Sequence, residues 1–511
     1  MNYADLFRVT LPETALEVAA LVVLIVDLGF LRRTALTVRV TVAALLGVAG
    51  CCAALWMVLT WGGASLSAGS ELLLAGGGSA SVAQAAILAL TALTLLLLID
   101  SVFTRHVGEY VAVVLMSAAG GLLIASAQDL LVIFIGLELL SLGLYILTAF
   151  NKSSGKSAEA ALKYYLFGGM SAAFLLFGFS YLYGMTGSTS LQKVTERAYF
   201  QSVLGGAPLL GVALVMIAVG LGFKIGAVPF HLWAPDTYEG APAPAAAFIA
   251  SVSKVASFAL LISIGSATLR ISGLYVFGQF AVEVTQRAAS RAGIGGSWWL
   301  LLALLSTASM IVGNLAALAQ TSVRRLLAYS AISHAGYILI GLAFLSRLDV
   351  SAKAILYYIL TYGLTTIGAF GVVGVVERAT GSDRLDSFLG LHKRNPLLAA
   401  VLLVLFLSLA GIPPLVGFWA KFNLFAAVLG VSAGPIPFAL VALAVAMSAV
   451  SLYYYLQVLK RAYVMPTVDE APITAHPVTM AVLLVIAAAV VVMGCFPTLL
   501  SNWINSFYPV L

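Results

Sequence analysis

Charge is what this 511-residue chain has least of: 9% of its residues are Asp, Glu, Lys or Arg, 62% are hydrophobic, and the mean hydropathy is +1.07. No soluble domain of this length shows such a bias, so a globular enzyme is excluded and an integral membrane protein is indicated. Cysteine is nearly as scarce. Cys51, Cys52 and Cys495 form no CxxC pair, and the five histidines show neither HExxH nor another zinc-ligand spacing. No iron–sulfur cluster or metal site is therefore expected on this chain. A Walker-type loop is missing, as is a GxGxxG between a strand and a helix, which removes nucleotide hydrolysis and a nicotinamide site. Whatever drives this protein comes from elsewhere.

What is present in quantity is apolar sequence in runs long enough to cross a bilayer, which takes about 20 residues. Fourteen such runs lie at 14–31, 37–60, 82–103, 109–127, 129–150, 158–185, 208–230, 241–271, 298–319, 322–346, 351–378, 396–426, 435–464 and 474–505. The first follows LPE and keeps Glu17 and Asp27 within its apolar pattern, unlike a cleavable signal peptide, and is expected to remain in the mature protein. An even number of spans puts both termini on one side. With the termini outside, the cytoplasmic connections carry fourteen Lys and Arg and the opposite side eight, with Lys163, Lys224, Lys254 and Lys421 inside the membrane. The excess of basic residues on the cytoplasmic side favours that orientation. It also accounts for the net charge of +6 without nucleic acid. The connections 62–81 and 273–297 read as surface loops, and 379–395 and 465–476 as charged cytoplasmic turns.

The chain is organised around GLGFKIGAVPFHLWAPDTYEGAPAPAAAFIASVSKVASF, residues 220–258. It holds Lys224 in one apolar run and Lys254 in the next. An ionised side chain at mid-bilayer costs on the order of 2.5–3.5 kcal/mol on insertion scales, so such residues face protein or water and often mark an ion path. Pro229 removes a backbone donor just past Lys224, and Gly220, Gly222 and Gly226 loosen the same run, as in a discontinuous transport helix. LSLAGIPPLVGFWAKF repeats the device: Pro413 and Pro414 break the run and Lys421 lies about two turns on. Runs four to eight (109–271) and nine to thirteen (298–464) form blocks of nearly equal size, with Lys224 and Lys421 each in the fourth run of its block. Five spans per block inverts the second relative to the first. The expected organisation is a three-helix segment (1–108), a first five-helix repeat (109–271), a connecting loop (272–297), an inverted second repeat (298–464) and a C-terminal helix (465–511).

Glu138 is the one acid in LLVIFIGLELLSLGLYIL. Near a buried lysine, each group keeps the other charged; separated, the lysine tends to release its proton, which is the chemistry of a switchable relay. The alternative is a polar residue held by a helix partner for structure alone. Ser330, Ser333, His334 and Tyr337 follow 3-4-3 spacing and share a helix face, where His334 either passes protons or sits neutral beside a hydroxyl. Glu159 and Lys163 read equally well as an intrahelical pair and as part of a proton entry. His231, Asp236 and Glu239 stand in the Pro-rich connection, where freed backbone groups need partners.

Taken together, GFKIGAVPFHLWAPDTYEGAPAP, GLELLSLGLYIL, EAALKYYLFG, RRLLAYSAISHAGYILIG and LSLAGIPPLVGFWAKF resemble the antiporter-like membrane subunits of respiratory complex I, the proton-pumping NADH:quinone oxidoreductase. The resemblance covers nearly the whole chain. The AKF ending of run twelve and the LPE start resemble subunit N rather than M, which has a glutamate at the Lys421 position, or L, which continues into a lateral helix. The resemblance implies an all-α membrane fold of fourteen helices with two inverted five-helix repeats and two broken helices. It also implies a proton path through Glu138 and Lys224 as the coupled pair, Lys254 as central relay, His334 on the polar axis and Lys421 on the exit side, with Lys163 a candidate at the entry. NADH, flavin, iron–sulfur clusters and quinone would belong to partner subunits, and the expected location is the cell's inner membrane. The rival expectation is a subunit of a multisubunit cation/proton antiporter, which shares the broken helices and lysines and has no redox partner.

Overall fold

The computed structural model describes residues 9–61, 66–68, 71–101, 103–201, 207–271, 294–345, 348–431, 434–466 and 471–508. Most of the connecting loop expected at 272–297 lies outside them. Among the described residues the fold is helical apart from one hairpin of β1 (Leu66–Ala68) and β2 (Glu71–Leu74). The helices in order are α1 (Leu11–Ile25), α2 (Leu36–Trp61), α3 (Gly78–Leu98), α4 (Val107–Ser126), α5 (Leu130–Thr148), α6 (Gly155–Thr186), α7 (Leu191–Gln201), α8 (Ala207–Ile225), α9 (Trp233–Gly240), α10 (Ala243–Ile271) and α11 (Ile294–Leu318). They continue with α12 (Val323–Ala343), α13 (Leu348–Thr380), α14 (Leu391–Arg394), α15 (Pro396–Ala410), α16 (Val416–Val431), α17 (Pro435–Tyr463), α18 (Pro477–Cys495) and α19 (Pro497–Ser506).

Twelve of these are long and apolar enough to cross a membrane. Three of the fourteen expected runs are not single helices, and two of these contain no helix long enough to cross alone. The run at 14–31 is the 15-residue α1 prolonged by a π-helical turn, Val26–Phe30. The run at 396–426 is split into α15 and α16, each under 18 residues. The last run, 474–505, divides at Pro497 into α18 and α19. Polar side chains start several helices by accepting the orphan N–H groups of the first turn: Asp129 for α5, Ser154 for α6, Ser322 for α12 and Asn395 for α15.

Connections hold more structure than their composition promised. Within 62–81, read as a plain loop, the hairpin forms, and Leu74 bridges to Ala127. Residues 193–197 belong to α7, whose start is tied to Asp129 through a bridge at Ser190. The N-terminal helices are fastened by an ion pair on the π turn: Arg39 Nε and Nη2 donate to the two Asp27 oxygens at 2.7 Å each, and Gly108 N–H donates to Asp27 Oδ2 at 3.0 Å.

The centre is made by α10 and α12, each with 89% of its apolar window buried. α10 packs along α13, α3 and α4, and α12 packs along α11. The outer helices turn Leu, Ile and Phe outward, as on Phe30, Trp56, Phe177 and Phe438. Apolar exposure on this scale suits a lipid or protein neighbour rather than water.

Candidate functional site

Both breaks expected from Gly and Pro are present, and each is built to feed backbone polar groups to side chains. α8 ends at Ile225, followed by Gly226 at φ 72°, and a short turn leads into α9. The freed Val228 N–H donates to Ser309 Oγ at 2.9 Å, and Trp233 Nε1 donates to the Phe223 carbonyl at 2.9 Å. At the second break α15 ends on Gly411 at φ 88°, where a side chain is strained and where a Cβ would lie 3.0 Å from Lys421 Cδ. The carbonyls that α15 leaves without N–H partners accept from Lys421 Nζ: Leu409 at 3.2 Å and Ala410 at 2.9 Å. Ser448 Oγ completes its shell at 2.8 Å. A lysine thus sits against the negative end of a broken helix dipole.

Glu138 and Lys224 are brought together. Glu138 Oε1 lies 4.0 Å from Lys224 Nζ, which also donates to Ser141 Oγ at 2.5 Å. The rings of Phe223 and Tyr145 stand 5.8 and 6.0 Å from the ammonium. Lys224 is buried, while the Glu138 side chain keeps 26% of its surface open. It does so within an outward stripe of Leu131, Ile135, Leu142 and Ile146 on α5. Ser141 and Tyr145 fall three and seven residues after Glu138, so their common face was readable, although the serine's role as hydrogen-bond acceptor for Lys224 was not.

Lys254, His334 and Lys421 form a second group in the core. Lys254 Nζ donates to the Ala331 carbonyl at 2.6 Å and stands 5.9 Å from the Tyr362 ring. The His334 imidazole is 4.8 Å from that ring and 5.7 Å from the Tyr337 ring, over which Lys421 Nζ lies at 5.3 Å. Tyr362 and Tyr337 are therefore both neighbours of His334, each next to one lysine. His334 Nδ1 lies 2.8 Å from Tyr358 Oη, and buried Nε2 has no hydrogen-bond partner. Among the described residues, neither Lys254 nor Lys421 has a carboxylate within 4.0 Å. Of the face expected with His334, Ser330 pairs with Tyr455 Oη, Ser333 Oγ donates to the Ser330 carbonyl at 2.7 Å, and Tyr337 accepts from Asn314 at 3.0 Å. The aromatic neighbours on α13 and Ser448 on α17 carried no sequence signal, since a tyrosine or serine inside an apolar run reads as packing.

Lys163 stands apart from the three buried lysines: its side chain is 42% exposed and ion-paired, and the intrahelical pair with Glu159 forms. Glu159 lies 2.7 Å away on the same helix, and Asp236 of α9 lies 2.8 Å away. Arg325 bridges Asp236 at 2.7 Å and Glu239 at 3.1 Å, and Lys156 reaches Glu239 at 3.2 Å. Burial pushes the Asp236 carboxyl up, and hydrogen bonds from Lys163 and Arg325 outweigh it, holding the group below its usual range. Glu239 is lowered by the same balance, with Arg325 and Lys156 as donors. The cluster ties α9 to α6 and α12. His231 stands at the break itself, with buried Nδ1 unpartnered and its ring 6.5 Å from that of Tyr329.

This geometry meets known proteins over the whole chain. The family model described as NADH:quinone oxidoreductase/Mrp antiporter, TM, matches residues 127–450. The chain is 47% identical over 519 residues to NADH-quinone oxidoreductase subunit N 2 of Acidobacterium capsulatum, covering 99% of both chains. The chain belongs to the subunit N family of NADH-quinone oxidoreductases. Another subunit N relative, NADH-quinone oxidoreductase subunit N 1 of Roseiflexus castenholzii, is 40% identical over 81% of this chain and 76% of its own. Among solved structures, a chain of respiratory complex I from Thermus thermophilus superposes with a TM-score of 0.74 at 32% identity, covering 96% of this chain and 98% of that one. A chain of the Mrp complex from Dietzia sp. superposes with a TM-score of 0.76 at 21% identity, covering 97% and 96%, a likeness of fold alone. Among the described residues of the subunit N chain, no group of three or more His, Cys, Asp or Glu could hold a metal ion.

Proposed function

We infer that this chain is a proton-translocating membrane subunit of an NADH:quinone oxidoreductase, with NADH oxidation and quinone reduction carried out on other subunits. The observation that carries the reading is the arrangement of basic groups. Lys224, Lys254, His334 and Lys421 are buried, and among the described residues Lys224 alone of the three lysines has a carboxylate within 4.0 Å. Permanently charged, they would each bear a large desolvation cost without a counter-ion. Holding and passing protons, they form a relay whose charge is present on few members at a time. At 4.0 Å, Glu138 favours the Lys224 ammonium by about 1 kcal/mol in water and about 4 kcal/mol at an effective dielectric near 20. Moving or neutralising Glu138 withdraws that support, and Lys224 gives up its proton. Lys254, His334 and Lys421 then accept and hand on protons through the tyrosine-lined core.

The open side of Glu138, on an outward apolar stripe, fits a neighbouring subunit that changes the carboxylate's surroundings when it moves. Lys163, tied to Asp236 and Glu159, is read as a charged group at the entry side rather than a member of the core relay. The fourteen-crossing reading counts the twelve long helices, α1 with its π turn, and α15 with α16 as one broken crossing. Two inverted repeats are supported by matched packing. α4 lies along α5 and α6 along α8 in the first block; α11 lies along α12 and α13 along α16 in the second. Both termini are placed on the non-cytoplasmic side of the inner membrane.

The test is gentle purification of the tagged chain from its host membrane. Flavin and iron–sulfur absorbance with NADH:quinone activity in the same fraction supports the reading. A colourless assembly that exchanges cations for protons contradicts it and selects an antiporter complex instead.

A further inference from the structure

His334 has two ring nitrogens and the structure treats them differently. Nδ1 is engaged by Tyr358 Oη at 2.8 Å, while Nε2 is buried and has no hydrogen-bond partner among the described residues. The hydrogen bond at one imidazole nitrogen decides what the other can do: a phenol accepting from Nδ1–H keeps the proton of the neutral ring on Nδ1 and leaves the Nε2 lone pair free to take a second one. The same hydroxyl accepts from Nδ1–H in the doubly protonated ring without moving. Tyr358 is fully buried on α13, one turn before Tyr362, whose ring neighbours both His334 and Lys254. The adjacent Tyr357 also has a buried hydroxyl, and that one has no partner.

We propose that Tyr358 is a positioning residue for the relay: its hydroxyl holds the His334 ring by Nδ1 so that Nε2 alone takes up and releases the transferred proton between Lys254 and Lys421. This rests on His334 being a member of the relay, as proposed above. In one step a proton leaves the ammonium of one lysine and binds the Nε2 lone pair; in the next, the Nε2–H bond breaks and the other lysine's amine takes the proton. Tyr358 keeps its own proton throughout and accepts from Nδ1–H in both the neutral and the doubly protonated ring. The charged and titratable groups around the ring are Lys254 on α10, Lys421 on α16, Tyr337 on α12, Tyr358 and Tyr362 on α13, and Tyr454 on α17.

The experiment uses the whole enzyme in sealed vesicles, following proton uptake and quinone reduction together for Tyr358→Phe, Tyr357→Phe, His334→Gln and the double variant Tyr358→Phe/His334→Gln. Loss of one neutral hydrogen bond corresponds to a roughly 2- to 10-fold fall in the competent ring population. Tyr358→Phe is expected to lower protons moved per electron accordingly and to shift the pH of half-maximal pumping by roughly half to one unit. Tyr357→Phe, which removes the same atom one residue away, is expected to leave both unchanged, and the double variant to match His334→Gln. Normal pumping by Tyr358→Phe alongside impaired His334→Gln overturns the positioning role and leaves the relay standing. Normal pumping by His334→Gln removes His334 from the relay and this proposal with it. Equal losses in Tyr357→Phe and Tyr358→Phe assign the effect to packing and overturn the proposal.

Discussion

Glu138→Gln is the perturbation the geometry defines most closely. The amide keeps the size of the carboxyl and removes its charge, replacing one acceptor oxygen by an NH2 donor, so packing on α5 is preserved. The 4.0 Å separation puts the lost support for the Lys224 ammonium between about 1 and about 4 kcal/mol, a roughly 5- to 1,000-fold weaker preference for the charged form. The upper end is the better guide, because Lys224 is buried and, among the described residues, Ser141 is its remaining hydrogen-bond partner. With the variant enzyme in proteoliposomes, proton uptake measured by a pH-sensitive dye against quinol formation should show a reduced ratio. Lys224→Ala should reduce it similarly, and the double variant should be little worse than either single one, since residues acting as one unit are not additive. Assembly should persist, because both changes remove buried charge. A normal proton-to-electron ratio in all three would falsify the pair as a switch, and loss of the assembled complex would assign it a structural role.

Gly411→Ala introduces a Cβ at φ 88° and 3.0 Å from Lys421, and is expected to cost about 1–2 kcal/mol in backbone strain and to weaken pumping, read by thermal unfolding and vesicle assays; an unchanged melting temperature would contradict the strained cap. Asp236 and Glu239 have folded values below their unfolded ones, so their ion pairs stabilise the protein at neutral pH and that contribution is lost as pH falls from about 4 through the folded values. Asp236→Asn should therefore melt earlier than the parent at pH 7, with the gap closing in strong acid; a gap independent of pH would refute the assignment. A cysteine at Asp386, whose side chain is 77% exposed, should react with an impermeant thiol reagent only in inside-out vesicles; labelling in intact cells would reverse the proposed orientation.

Hydropathy located the helices because twelve of the runs are continuous, and Gly and Pro located both breaks because each residue acts on the backbone directly. The same signals missed the finer structure where a side chain answers to something distant. Lys163 was readable as a partner of Glu159 four residues before it, and its second partner, Asp236, was not, because it lies 73 positions away. Asp27 looked like a polar residue tolerated in a span, and its two bonds to Arg39 require α1 to end in a π turn beside α2. The hairpin and α7 were hidden in polar connections that are too short to show a period. Glu138 and Lys224 were readable as a pair by chemistry, and their separation of 4.0 Å was not. For Lys254 and Lys421 the partners are backbone carbonyls, which every residue possesses and no sequence pattern marks.

The central claim is that protons cross through the buried basic groups of this chain, and Lys254 tests it most directly: it lies on one of the two most deeply buried spans and, among the described residues, donates to a single carbonyl. Lys254→Met retains the stem and removes the titrating group. Protons moved per electron should be measured in vesicles containing the intact enzyme, with NADH oxidation by its peripheral subunits checked using an artificial acceptor. The account predicts normal artificial-acceptor activity and a lowered proton-to-electron ratio. Full pumping with Met at 254 would contradict it.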